Sequence, residues 1–136
     1  MIDSRTAAHV ALYTTLNATT ALTDLADVWG HPEEGTEPTA NKSLVLIGPA
    51  SCENIGGKDG GLDQVTISIF AEVRKPDITE LYAVSSLIRS AIEGQTVSAP
   101  GALLSKPEFL DADPELMEDG ETFFDTLRFR LLVQPA

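Results

Sequence analysis

Basic residues are scarce in this chain. Nine Lys and Arg stand against 21 Asp and Glu in 136 residues, a formal charge of −12. A surface that holds a phosphate backbone needs the opposite balance, so the composition argues against direct nucleic-acid binding. Cysteine is nearly absent as well: Cys52 stands alone and cannot close an internal disulfide, and nothing here calls for an oxidising compartment. The two histidines, His9 and His31, have no Cys or second His at ligand spacing, which argues against a zinc site. No apolar run is long enough to span a membrane. Residues 1–10, with Asp3, Arg5 and His9, lack the apolar stretch of a secretory signal, so a cytosol-like space is expected for synthesis. The glycosylation patterns Asn17-Ala18-Thr19 and Asn41-Lys42-Ser43 then have no consequence.

What is present is apolar patterning. Hydrophobic residues make up 43% of the chain and recur with helix and strand periods along its whole length, which separates it from a disordered acidic tail. The length fits one small domain over residues 1–136. From Asp3 or Ser4, both good N-caps, Ala8, Ala11, Leu12 and Leu16 lie on one arc of a helix ending near Asn17. Leu22, Leu25 and Ala26 predict another helical turn or two. Val28 and Trp29 read as a short strand closed by Gly30, His31 and Pro32, and residues 33–42 as a loop.

Leu44 to Ile47 is a continuous apolar run of strand length, with Gly48 and Pro49 as its expected stop. Gly56, Gly57, Lys58, Asp59, Gly60 and Gly61 then predict a flexible loop or hairpin connection. Val65, Ile67, Ile69, Ala71 and Val73 alternate with polar residues, the period of a half-buried strand, which Pro76 ends. Asp77 and Glu80 form a capping-box-like start for a helix whose buried face is Ile78, Leu81, Val84, Ile88 and Ile92. Small Ser85 lies in the middle of that face and Gly94 is the stop. Leu103, Leu104, Phe109 and Leu110 predict an edge strand interrupted at Pro107, followed by an acidic loop over residues 111–121. Phe123, Leu127, Phe129, Leu131 and Val133 define the final strand, with Asp125 as the one misfit on its apolar face. The expected fold class is α+β, a mainly antiparallel sheet of about five strands packed against two main helices.

Chemistry is weakly signalled. Gly57-Lys58 is followed by Asp59 and a strand, so it fails the phosphate-loop pattern, which needs Ser or Thr and a helix there. Asp111, Asp113 and Glu115 have the alternate spacing of a calcium loop, but Leu116 stands where the turn glycine is required. Cys52 sits beside Glu53, which raises a thiol pKa, and no glycine-flanked serine elbow occurs. Trp29 reads as a core or subunit-contact residue. Arg128 and Arg130 project from one face of the last strand, either as solvated arginines or as partners for carboxylates of a neighbouring subunit.

Taken together, the N-terminal helix with Leu12 and Leu16, the segment Val28-Trp29-Gly30-His31-Pro32 and the strands ending Leu46-Ile47-Gly48 and Ile69-Phe70-Ala71 follow a familiar order. With the helix from Ala83 to Ile92 and the closing Leu127-Arg128-Phe129-Arg130 before Val133, they resemble the tail terminator family of long-tailed bacteriophages. These are also called tail completion or tail-to-head joining proteins. The resemblance implies a structural virion protein with no cofactor, no metal and no catalytic residue. It implies a ring of about six copies on the head-proximal end of the tail tube, made in the host cytoplasm. Such a ring stops tube polymerisation, receives the head-to-tail connector or stopper protein, and lets DNA pass without specific binding; no membrane is involved. In that setting Arg128, Arg130 and Trp29 are candidates for the subunit interface. Asp111, Asp113, Glu115, Glu118, Asp119 and Glu121 are candidates for the lumen or a partner-facing surface. Gly56 to Gly61 form the candidate docking loop. The rival readings are another neck or tail-tube subunit, or a small cytosolic enzyme or ligand-binding domain.

Overall fold

A computed structural model describes residues 2–31, 42–56, 61–74 and 77–135. Helix α1, Ser4–Asn17, starts where Asp3 caps it: the carboxylate accepts from the Arg5 N–H at 2.8 Å. Its buried stripe is Ala7, Ala8, Ala11, Leu12 and Leu16, and the three alanines keep that face small. The next helix, α2, is a single turn, Thr20–Thr23, shorter than the Leu22, Leu25 and Ala26 spacing predicts. Ala26 instead opens strand β1, Ala26–Trp29, and Leu25 is left exposed.

Strand β2, Ser43–Asn54, runs well past its expected stop. Its pairing with β3, Asp63–Val73, shifts register between Ile47 and Ala50, and that irregularity takes up Gly48 and Pro49 without ending the ladder. Gly48 is required for a packing reason. A Cβ there would lie 2.5 Å from Cε2 of Phe70 and 3.0 Å from the Ser68 carbonyl oxygen. Of the expected loop at residues 33–42, all but Lys42 lie outside the described residues, as do Pro32, Pro76 and residues 57–60. Lys42 donates from Nζ to the Thr23 carbonyl at 2.8 Å.

Helix α3, Ile78–Ile92, begins as its sequence predicts: Asp77 accepts from the Thr79 N–H at 3.0 Å and from the Thr79 hydroxyl at 2.5 Å. It ends at Gly94, whose φ of 69° is left-handed and whose N–H reaches the Pro107 carbonyl at 3.0 Å. Beyond it lie β4, Ala102–Leu104, β5, Glu108–Leu116, and β6, Phe123–Pro135.

The six strands form one sheet in the order β1-β2-β3-β6, with β4 and β5 sharing the outer edge of β6. Only β1 and β2 are parallel. The interruption expected at Pro107 is the break between β4 and β5. There Ser105 takes over: its N–H donates to the Leu132 carbonyl at 2.9 Å and its hydroxyl accepts from the Leu132 N–H at 2.7 Å.

Residues 111–116, expected as part of an acidic loop, are strand. They continue the β5 ladder to Leu116, and only residues 117–122 turn. The acidic composition hid a period-2 pattern, because a register shift between Phe109 and Asp111 displaces it by one residue. After that shift Ala112, Pro114 and Leu116 oppose the inward positions of β6, and Asp111, Asp113 and Glu115 the outward ones. Charge and proline on an edge strand also oppose pairing with stray chains.

Helices α1 and α3 cover one face of the sheet. Between them and the sheet lie Val65, Ile67, Ile69, Leu127, Phe129 and Leu131, all essentially inaccessible. The opposite face carries no helix among the described residues. By alternation it presents Trp29, Leu46, Phe70 and Phe124, and the last two rings stack at 5.2 Å. Replacing Gly48 by Ala forces the Phe70 ring off this stack. Urea unfolding of Gly48→Ala is expected to show a loss of about 1–3 kcal/mol, the usual cost of overpacking.

Candidate functional site

The β5–β6 hairpin and the sheet face behind it gather most of the residues singled out in the sequence. Across the outward side of the hairpin, Arg128 grips Asp111 with two of its three guanidinium nitrogens, Nε donating to Oδ1 at 2.9 Å and Nη2 to Oδ2. Arg130 reaches Glu108 at 2.7 Å. The arginines therefore find carboxylates inside their own chain, on neighbouring positions of an antiparallel ladder. The Arg128 guanidinium holds the Asp111 carboxyl below its ordinary range, and Asp111 raises Arg128 in return. All four side chains remain substantially exposed.

The turn at the hairpin tip is rigidly hydrogen-bonded. The Asp119 carboxylate accepts from the N–H groups of Glu121 and Thr122 and from the Thr122 hydroxyl, at 2.9, 2.8 and 2.6 Å. The Thr122 hydroxyl bond, followed by the two backbone bonds, lowers the Asp119 pKa. Gly120 turns with a φ of 71°, and Met117 N–H meets the Thr122 carbonyl at 2.8 Å. Leu116 and Met117 stand exposed beside this turn. Among the described residues, Asp113, Glu115, Glu118, Asp119 and Glu121 have no ion pair, so the tip is acidic with two apolar side chains at its end.

Trp29 ends β1 on the helix-free face, half-buried, opposite Leu46 in the parallel register. It shares that face with Arg128 and Arg130 but lies at the other side of the sheet. Of the glycine loop, Gly57, Lys58, Asp59 and Gly60 lie outside the described residues. Gly56 is in the hairpin neck, with its N–H on the Leu62 carbonyl at 3.0 Å, and Gly61 is exposed.

Cys52 is exposed, and partial burial together with the neighbouring Asp63 carboxylate pushes its thiol up. The relevant carboxylate is Asp63 across the strand pair rather than Glu53 next in sequence. Asp63 accepts from Ser4 at 2.5 Å and Asn54 at 3.1 Å, which lowers its pKa and ties the start of α1 to the β2–β3 hairpin. The two histidines are closer than their spacing implied. His9 is half-buried, and burial followed by the charge of His31 lowers its pKa. Among the described residues no three His, Cys, Asp or Glu side chains group as metal ligands.

One pairing was half visible in the sequence. Asp125, the misfit of the last strand, is buried, and its Oδ2 accepts from the Ser85 hydroxyl at 2.6 Å. Ser85 is the small residue of the α3 face, and its hydroxyl is what lets a carboxyl sit there. The cleft beside this pair, with Tyr82 and Phe109 in its wall, had no signal in the sequence.

Residues 10–134 match the model of a family described as tail completion protein gp17. This chain belongs to that family. It is a structural protein of the phage tail, and its place is in the virion. The fold agrees with that of a chain from a solved structure titled virion of native gene transfer agent (GTA) particle, at 22% identity and a TM-score of 0.82 over 98% of this chain and 99% of that one. No curated protein matches. The resemblance drawn from the order of elements in the sequence is thereby borne out. No helix among the described residues is long and apolar enough to cross a membrane.

Asp63, Asp111 and Asp119 all have lowered pKa values in the fold, so each favours the folded state above the ordinary carboxylate pKa of 3.8. That contribution is lost as pH falls through the folded values. Urea midpoints are expected to hold near neutral pH and to drop below about pH 4, and Asp119→Asn should flatten the drop. The same variant should raise protease cleavage within residues 117–122.

Proposed function

We propose that this tail completion protein is a tail terminator. About six copies form a ring on the head-proximal end of the tail tube, halt its polymerisation and offer the docking surface for the head-to-tail connector or stopper. The observation that carries this reading is the family match over residues 10–134. The whole chain, residues 1–136, acts as one domain in it.

Two features of the fold favour the ring. A sheet with helices on one face leaves a broad second face for a neighbour, and that face holds Trp29, Phe70, Phe124 and the arginine ladder. Aromatic and arginine side chains are the residue types that anchor protein contacts. Arg128 and Arg130 retain exposed edges while paired within the chain, so a neighbour's carboxylates can join them. The second feature is the acidic tip. About six copies at −12 each bring roughly −72 to the ring, and carboxylates at a lumen repel DNA in transit. We assign Asp113, Glu115, Glu118, Asp119 and Glu121 to the lumen or a partner-facing rim, with Asp111 neutralised beside them by Arg128.

A tube or neck subunit would share this fold and this acidity, and assembly behaviour separates the two. Light scattering with electron microscopy is expected to find a species near 87 kDa, about six copies of 14.5 kDa, visible as rings. Added to polymerising tube protein, the chain should shorten tubes. Self-assembly of the chain alone into long tubes would assign it to the tube instead. Replacing Arg128 and Arg130 together by Gln avoids setting new carboxylates against Asp111 and Glu108. This variant should keep a folded monomer and lose ring formation; rings of unchanged stability would remove the two arginines from the interface.

A further inference from the structure

Leu25, Ile55, Tyr82, Leu103, Leu116 and Met117 are the large hydrophobic side chains left exposed among the described residues. Four of them gather at the two ends of the β5–β6 hairpin. Leu116 and Met117, 51% and 44% exposed, stand at its tip among Glu115, Glu118, Asp119 and Glu121. Asp119 is committed to the turn by its three hydrogen bonds. Glu115, Glu118 and Glu121 have no ion pair among the described residues, so the tip offers two apolar side chains within a ring of free acids. Exposed apolar groups rimmed by charge are the composition of a contact surface.

The other end of the hairpin has the complementary character. There an open groove of about 380 Å³ is lined by Ile55 and Leu132 together with Ser105, Lys106, Glu108 and Arg130. Ile55 is 47% exposed, and Leu103 adjoins the groove from β4, opposite Gln134, the next position after Leu132 on that face. Lys106 is exposed and has no ion pair among the described residues. Arg130 spends one nitrogen on Glu108 and stays partly exposed, which leaves further guanidinium donors for an incoming carboxylate. Lys106, Arg130 and Glu108 sum to +1, a local excess of positive charge in a chain of −12.

We propose that the acidic hairpin tip of one copy docks into the basic groove at the hairpin base of a second copy. Leu116 and Met117 pack against Ile55 and Leu132, and Glu118 and Glu121 meet Lys106 and Arg130. One chain cannot make this contact with itself. Leu116 is level with Phe123 on β6 and the groove with Leu132, nine residues further on, so about 30 Å of strand separates them. The second copy is the occupant because both halves of the contact, matched in charge and each with exposed apolar groups, stand on this one chain. Two different surfaces of identical chains make a head-to-tail contact, the kind that closes into a ring instead of ending at a dimer. The inference deepens the ring reading and rests on it. It sets Glu118 and Glu121 against a neighbour and leaves Asp113 for the lumen.

The test uses two full-length variants changed only at exposed positions: a tip variant, Leu116→Ser with Met117→Ser, and a groove variant, Ile55→Glu with Lys106→Glu. Each alone is expected to stay monomeric by light scattering. Mixed, they keep one intact tip and one intact groove between them, and should stop at about 29 kDa, two copies of 14.5 kDa. With the tip variant labelled with 15N, the unlabelled groove variant should give saturating shifts at the amides of Ile55, Ser105 and Leu132. A chain carrying all four substitutions should bind at least about tenfold more weakly. Charge reversal keeps the test decisive if an apolar variant does not fold: Glu118→Lys with Glu121→Lys in one chain and Lys106→Glu in another should each weaken assembly, and mixing the two should restore it. Absence of saturable shifts overturns the contact, whatever the native chain does, and native rings then leave the ring reading standing. Rings formed by either variant alone, or shifts centred on Trp29 and Phe70, overturn it as well. A 29 kDa pair beside a native chain that grows into long tubes upholds the contact and removes the ring.

Discussion

Strand β6, Phe123–Pro135, pairs along both of its edges, and its register sets what packs on either face of the sheet. From Phe123 to Val133 β6 is laddered to β3 along one edge, while its other edge is taken by β5 and then β4. With both edges occupied, its register cannot slip without moving every alternate residue to the wrong face. Leu127, Phe129, Leu131 and Val133 are thereby locked under the helices, and Arg128 and Arg130 on the other side. The helix layer follows from this. The alanines of α1 and the Leu81, Val84, Ile88 stripe of α3 have one continuous apolar surface on which to pack.

The same register sorts the charge. The outward face of the β5–β6 hairpin carries acids and arginines that cancel in pairs, leaving the net negative charge toward the tip, around Leu116 and Met117. The inward face carries one acid, Asp125, accommodated by a serine hydroxyl from α3. An acidic protein thus holds its own arginines in local pairs. In this structural component of the tail, charge is thereby divided between self-paired groups on the hairpin face and unpaired carboxylates at its tip.

Much of this was legible in the sequence. The caps Asp3 and Asp77, the alternation of β3 and β6, the stop at Gly94 and the break at Pro107 are local signals, set by side chains that bond to their own backbone or repeat at period two. So was the order of elements that marks the family. Where local signals conflicted with pairing, pairing prevailed. β2 runs through Gly48 and Pro49 because β3 supplies a template and the register shift absorbs the proline, and residues 111–116 are strand because β6 holds them despite their charge.

The charge, the helix faces and the two long strands follow from the order of residues alone, since these are properties of composition and spacing. Which carboxylate each arginine meets, the meeting of Ser85 with Asp125 and the cleft beside them arise when the elements pack. Those are meetings between residues 17 to 40 positions apart in the chain, at separations for which no local periodicity carries information.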